Sequence, residues 1–138
     1  MSVGVEVGSI IDVIGAPSFL NSFFSTVAYV LEGNNPGTRY PVVSIDFYSG
    51  MVPVGKVQTA LNELKDIQVA LGEFPPSAVV WDREDWSKQP PWKGDISREI
   101  TSLGNYFVTS GGKDLFSVLY EVFEAALDEK QSVKIVEA

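Results

Sequence analysis

The chain has 138 residues, the size of one ordinary domain with one hydrophobic core. It contains neither cysteine nor histidine, which excludes disulfides, thiolate nucleophiles, histidine-based catalysis and the usual zinc sites. Eighteen acidic and ten basic residues give a net charge of −8, which disfavours nucleic acid and anionic membranes as direct partners. We therefore expect a protein without cofactor or metal that binds another macromolecule and is not an enzyme.

The chain shows no sign of membrane insertion or export. No apolar run approaches the roughly 18 residues that a membrane-spanning helix needs. The opening MSVGVEVGSIID lacks the basic, apolar and small-residue order of a secretory signal. We expect a cytoplasmic protein.

The first elements are a Val- and Ile-rich stretch and a helix. Residues 3–14, interrupted by Gly8, predict one long bent strand or a hairpin arm. Ser18 is the candidate N-cap of an amphipathic helix from Phe19 to Glu32, which Gly33 ends. The apolar residues of this helix recur every three or four positions: Phe19, Leu20, Phe23, Phe24, Val27, Ala28 and Leu31.

The other face of this helix is polar but uncharged. It consists of Asn21, Ser22, Ser25, Thr26 and Tyr29. A second protein would pack there at little desolvation cost, and a plain solvated face is the equally good alternative.

The middle of the chain contains a loop and two helical stretches. Residues 33–39 predict a turn-rich loop, and 41–48 suit either a strand or a short helix, with the helix favoured because Pro41 opens it and Gly50 ends it. Residues 55–71 form the clearest helix, which Gly72 closes. Its apolar stripe is Val57, Ala60, Leu61, Leu64, Ile67 and Leu71.

The next part consists of short pieces. Residues 78–81 predict a strand, and 82–95 a charged loop with two tryptophans. Residues 96–103 predict a short helix, 106–109 a short strand and 110–112 a turn.

The chain closes with a helix over 114–130 and a strand over 133–137. Leu115, Leu119, Val122, Phe123 and Ala126 form the buried side of that helix. These elements predict an α+β fold, with residues 1–138 forming a single domain whose short mixed or antiparallel sheet packs against two to four helices.

The turn TSGGKD before the last helix invites a phosphate-loop interpretation. Its spacing fails, because a P-loop needs GxxxxGK followed by Ser or Thr, whereas Phe107 stands at the first glycine position and Asp114 follows Lys113. Nucleotide binding is therefore not expected.

Four acidic residues form the alternative, catalytic hypothesis: Asp82, Glu84, Asp85 and Asp95. Such carboxylates serve carboxylate-based hydrolases or metal-dependent enzymes, but the spacing matches no known acid pair or calcium loop. Four nearby bases favour a solvated, salt-bridged loop instead: Arg83, Lys88, Lys93 and Arg98.

Two further features suit a protein interface. Trp81, Trp86 and Trp92 are the three tryptophans of the chain, and they indicate either interface anchors or a loop pinned over the core. An acidic stripe on the last helix consists of Asp114, Glu121, Glu124 and Asp128. Such a stripe is a solvated face or an attractor of a basic partner.

Several segments together resemble the bacterial immunity protein 70 family of polymorphic toxin systems. They are FFSTVAYVLE, RYPVVSIDFYSG, ALNELKDI, FPPSAVVWDREDWSKQPPW and NYFVTSGGKDLFSVLYEVFEAA. The stretch from Phe74 through Trp92 is the most specific, because its order of Pro and Trp is unlikely to recur by chance. The resemblance implies an α+β protein that binds and neutralises a cognate toxin made beside it.

The leading hypothesis is therefore occlusion of a toxin surface by an acidic and aromatic surface, with a basic nuclease-like toxin favoured by charge complementarity. The predicted contact residues are Glu84, Asp85, Trp86, Trp92, Glu121, Glu124 and Asp128. The alternatives are the carboxylate enzyme described above and a scaffold domain without a toxin, which forms a homodimer through the uncharged face of the first helix. We expect a monomer or a weak homodimer.

Overall fold

A computed structural model of the protein describes residues 1–92 and 94–138. Strands β1 (Val3–Val7) and β2 (Ile10–Gly15) form a hairpin whose turn contains Gly8 with a φ of 58°. The stretch predicted as one bent strand or a hairpin arm is thus both arms of a hairpin, because only glycine adopts this φ at little cost.

Two later strands complete the sheet. Strand β3 (Met51–Val52) pairs with strand β4 (Val133–Glu137), and β4 pairs with β1. The order is β2-β1-β4-β3 and every neighbouring pair is antiparallel. The predicted strand at 133–137 and the α+β class are confirmed.

Helix α1 (Pro17–Thr26) continues into a first π-helical segment, Val27–Leu31. The prediction of Ser18 as N-cap is wrong, since Ala16 precedes the helix and Pro17 takes its first position. Proline suits that position because the missing N–H would have had no partner within the helix.

A second π-helical segment, Val42–Phe47, follows Pro41 and confirms the helical alternative for 41–48. Its free N–H groups are bound by Glu63, whose carboxylate accepts from the Val42 and Val43 nitrogens at 3.3 and 2.8 Å. Burial raises the pKa of Glu63, although both hydrogen bonds act in the opposite direction. A side chain from the following helix therefore caps this segment.

Helices α2 (Val57–Leu71) and α3 (Leu115–Glu129) confirm the two strongest helix predictions. A short 3₁₀ turn, Val54–Lys56, leads into α2. Every residue of both predicted apolar stripes is buried. Asp114 caps α3 by accepting from the Ser117 nitrogen at 3.0 Å, so this member of the predicted acidic stripe serves the helix end.

Three short predictions differ from the structure. Residues 78–81 are not a strand, because a 3₁₀ turn, Pro76–Ala78, is followed by a segment that pairs with side chains of α1. Residues 96–103 form turns, since the Asn105 side chain binds the main chain around Thr101 and competes with a helix. The strand at 106–109 is reduced to one bridge, and the predicted turn at 110–112 closes it.

One hydrophobic cluster joins the helices to one face of the sheet. Val5, Val7 and Val133 point into it, whereas Glu6 and Lys134 alternate to the other face. Phenylalanines fill its centre: Phe23, Phe47, Phe107, Phe116 and Phe123 are fully buried. Within the described residues, no helix has the length and apolar character needed to cross a membrane.

A buried carboxylate organises the loop at 33–40 between the two π-helical segments. Glu32 accepts hydrogen bonds from the main-chain nitrogens of Gly37, Arg39 and Tyr40 at 2.8, 3.1 and 3.0 Å. Its second oxygen accepts from the Ser44 hydroxyl at 2.5 Å. The charge is thus compensated by four donors, as a buried carboxylate requires.

Candidate functional site

The polar face of α1 is covered by the chain's own segment at 80–83. The Val80 carbonyl accepts from the Ser22 and Thr26 hydroxyls at 3.0 and 3.1 Å, and the Val80 nitrogen donates to Thr26 at 3.1 Å. The Arg83 nitrogen donates to the Ser25 hydroxyl at 3.2 Å. All three hydroxyl residues are buried.

Both interpretations of this face are therefore wrong for its centre, which neither meets water nor lies open to a partner. A homodimer through this face would therefore have to form without Ser22, Ser25 and Thr26. The hydroxyl side chains of this face bind the main chain of the segment at 80–83, which has no strand partner.

A groove with a volume of about 410 Å³ lies between α1, the second π-helical segment and the segment at 82–84. Its lining is mainly apolar, with Phe24 and Ala28 from α1 and the following turn, and Ile45 and Tyr48 opposite. The remaining lining residues are Asn21, Ser25, Pro36, Ser44, Ser49, Asp82, Arg83 and Glu84. A groove of this size accommodates one or two side chains of a partner.

Exposed aromatic and aliphatic residues surround this groove. Ile45 and Tyr48 have exposed fractions of 48% and 51%, and nearby Trp86 has 53%. The Trp86 ring packs edge-on against Tyr29 with 4.9 Å between the ring centroids. Aromatic side chains held in one orientation lose little entropy when a partner binds, so they suit an interface.

The acidic residues of this loop are paired with basic side chains. Lys88 Nζ lies 3.7 Å from Asp82 and 4.0 Å from Asp85, and Arg83 lies 4.0 Å from Glu84. Hydrogen bonds from the Ser87 hydroxyl and nitrogen lower the pKa of Asp85. This is the salt-bridged loop that the sequence favours, although Lys93 lies outside the described residues.

The four acidic residues of the alternative enzyme are not all in one place. Asp95 lies at a different depression, beside Trp92 and Ile96, and does not line the groove. Across residues 1–92 and 94–138, no group of three or more acidic side chains is placed to hold a metal ion. A general acid near neutral pH also needs a raised pKa, and that of Asp85 is lowered.

Two of the three tryptophans take the predicted role of pinning the loop over the core. Trp81 is buried and packs edge-on against Trp92 at 5.3 Å. The Trp92 indole nitrogen donates to the Tyr106 hydroxyl at 2.8 Å, and burial raises the pKa of that tyrosine. Trp81 and Trp92 thus pin the loop to the core, and Trp86 is the one whose ring is mostly exposed.

The predicted contact residues lie in three places. Glu84 lines the groove, Asp85 and Trp86 follow it in the adjoining loop, and Trp92 is half-buried on another side of the loop. Glu121, Glu124 and Asp128 are exposed on α3, and none of them lines the groove.

The opposite wall of the groove was not predicted from the sequence. Ile45 and Tyr48 are three positions apart and lie off the face that buries Val43 and Phe47. An exposed apolar pair on the outer face of a helix can indicate an interaction surface. Here the pair could not be assigned to an outer face, because residues 41–48 suited either a strand or a helix.

The sequence model of a family described as immunity protein 70 matches residues 5–135. No curated protein and no solved structure matches the chain significantly.

Proposed function

Because this chain belongs to the immunity protein 70 family, we propose that it binds one cognate toxin domain and neutralises it. The match over residues 5–135 is the observation that carries this proposal, since it includes every helix and nearly the whole sheet. The groove supports it, because a preformed apolar depression with an exposed aromatic rim suits binding of a protein segment.

The groove and the adjoining loop are the surface that we assign to the toxin. Trp86 supplies the aromatic anchor, and Glu84 and Asp85 supply negative charge beside it. Glu84 is the most open of these acids, with its side chain 77% exposed. Trp92 extends this contact from the far side of the loop, and Glu121, Glu124 and Asp128 on α3 attract a basic partner during approach.

Inhibition proceeds by occlusion and without catalysis. A toxin that acts on nucleic acid carries positive charge where it holds phosphate, and a protein of charge −8 complements that surface. Covering it prevents substrate binding with a stoichiometric complex. The protein acts in the cytoplasm of the producing cell, where the toxin would otherwise do harm.

The decisive experiment is co-expression with the toxin domain encoded beside the gene of this protein. We expect cells to survive and the two proteins to purify as a complex with one copy of the toxin per inhibitor. Continued killing together with separate elution of the two folded proteins would overturn the proposal.

A pair of matched variants locates the surface. Trp86→Ala removes the exposed ring at the groove, and we expect it to weaken toxin binding at least about tenfold by calorimetry. Val69→Ala is the control, since Val69 is 72% exposed on α2, away from the groove lining. Equal affinities of the two variants would place the interface elsewhere.

A further inference from the structure

The outer face of the sheet carries exposed apolar side chains. The helices pack on the other face, through Val5, Val7 and Val133. On the outer face, Ile11, Val13 and Met51 have exposed fractions of 46%, 50% and 47%. Three large aliphatic side chains on one open sheet face form a patch of the kind that marks an interaction surface.

One row of this face has a regular order across all four strands. The register pairs Ile11 with Glu6, Glu6 with Lys134, and Lys134 with Met51. The row therefore runs apolar, acidic, basic, apolar from β2 to β3. Side chains that are directly opposite across antiparallel strands lie on the same face, so all four point outward together.

This order is complementary to itself. A two-fold axis parallel to the strands, passing between β1 and β4, would lay one sheet face on another with the row reversed. Glu6 of one copy then faces Lys134 of the other, and Ile11 faces Met51. An axis perpendicular to the strands in the sheet plane would instead oppose like charges, so the charges select one of the two orientations.

We propose that two copies of this chain associate face to face through the outer surface of the sheet, about this two-fold axis. The occupant of the patch is a second copy of this chain because the row is complementary to its own reverse. Across the axis, each acid of the row faces a base and each aliphatic side chain of the row faces another aliphatic side chain. The inference needs only this chain and does not rest on the proposed function.

The size of the face sets the strength of the dimer. Strands about 4.8 Å apart and residues about 3.3 Å apart give four short strands a footprint of roughly 300 Å². A stable interface buries about 800 Å² per partner, so this one is weak. We expect a dissociation constant on the order of 0.1 mM, and tighter association at higher salt because two bodies of charge −8 repel each other.

Charge reversal in separate copies gives the sharpest test. Glu6→Lys leaves two bases on the central row and Lys134→Glu leaves two acids, so each variant alone opposes like charges across the axis. By sedimentation velocity we expect each to dimerise at least about tenfold more weakly than the wild type. An equimolar mixture of the two variants should form a heterodimer at least as tight as the wild-type dimer.

The mixture separates association from folding, because recovery between two chains cannot arise from the cross-strand pair within one chain. Far-UV circular dichroism checks that both variants are folded. Ile11→Lys disrupts the patch without changing the charge pair, and Val69→Lys on α2 is its matched control. A wild-type protein that stays monomeric at about 1 mM, or a mixture no more associated than its components, overturns the proposal.

Discussion

At the scale of single residues, Glu32 has more partners than any other acidic side chain described above. Its four donors are three main-chain nitrogens and one hydroxyl. Such an arrangement provides hydrogen-bond partners for both carboxylate oxygens and fixes the loop that follows them. The sequence offered no indication of this role, because a glutamate at a helix end is usually solvated.

Replacing this carboxylate tests its structural role. Glu32→Ala leaves the nitrogens of Gly37, Arg39 and Tyr40 without their acceptor, and we expect a loss of about 3 kcal/mol in the free energy of unfolding. Urea denaturation measures it. Glu73→Ala is the control, since Glu73 is exposed at the end of α2. If both variants lose the same amount, Glu32 does not hold the loop.

Tyr120 predicts a dependence of stability on alkaline pH. Burial raises its pKa to about 12, with the charge of Asp114 adding to the effect. Since this exceeds the value of about 10 in the unfolded chain, its contribution is fully present below pH 10 and is lost as the pH rises towards 12. Urea titrations across this range should show a smaller loss for Tyr120→Phe, and equal losses would contradict the assignment.

At the scale of elements, the attachment of the segment at 80–83 to α1 replaces the strand pairing that the sequence predicts. Val80 is flanked by β-favouring residues, but its carbonyl and nitrogen are both taken by hydroxyls of α1. Periodicity detects apolar faces and gives no signal for a helix face that binds a main chain. The location of the groove follows from this attachment, and the sequence did not reveal it.

A single isosteric change tests the attachment. Thr26→Val removes one donor and one acceptor for Val80 without changing the volume, and we expect a loss of about 2 kcal/mol in stability. Hydrogen exchange at the Val80 nitrogen should also accelerate. Thr59→Val, on the exposed side of α2, should change neither quantity. An unchanged exchange rate at Val80 would show that the segment is held by its side chains alone.

At the scale of the whole molecule, the charge of −8 predicts how this protein would encounter the proposed toxin. Electrostatic attraction accelerates association and is screened by salt. Changing Glu121, Glu124 and Asp128 together to Lys should lower the association rate about tenfold and weaken its salt dependence, as stopped-flow measurements would show. If the triple variant keeps the rate and the salt dependence of the wild type, the α3 stripe has no part in recognition.

The long elements could be predicted because their patterns extend over several turns. The stripes of α2 and α3 repeat often enough to identify both helices, and every residue in them is buried. The strand predicted at 78–81 and the helix predicted at 96–103 were wrong, because the structure of such short segments depends on tertiary partners. These partners are hydroxyls of α1 in the first case and the Asn105 side chain in the second.

The surface was predicted less completely than the core. Glu84, Asp85 and Trp86 were selected for charge and aromatic character; Glu84 lines the groove, and the role of all three as contact residues stays a prediction. The outward-facing row of Ile11, Glu6, Lys134 and Met51 could not be predicted from the sequence. Its residues come from four strands, some of them far apart along the chain. Only the register reveals which of them are neighbours.

The hydrogen bonds between Glu32 and the loop at 33–40 also have an evolutionary consequence. Glu32 holds the loop mainly by main-chain nitrogens, so these hydrogen bonds do not depend on the side chain that position 39 carries. Pro36 in the same loop forms part of the groove wall. Substitutions can therefore accumulate beside the groove while the backbone keeps its course. If the groove binds the toxin as proposed, such substitutions would change the contacts with the partner while the fold is kept.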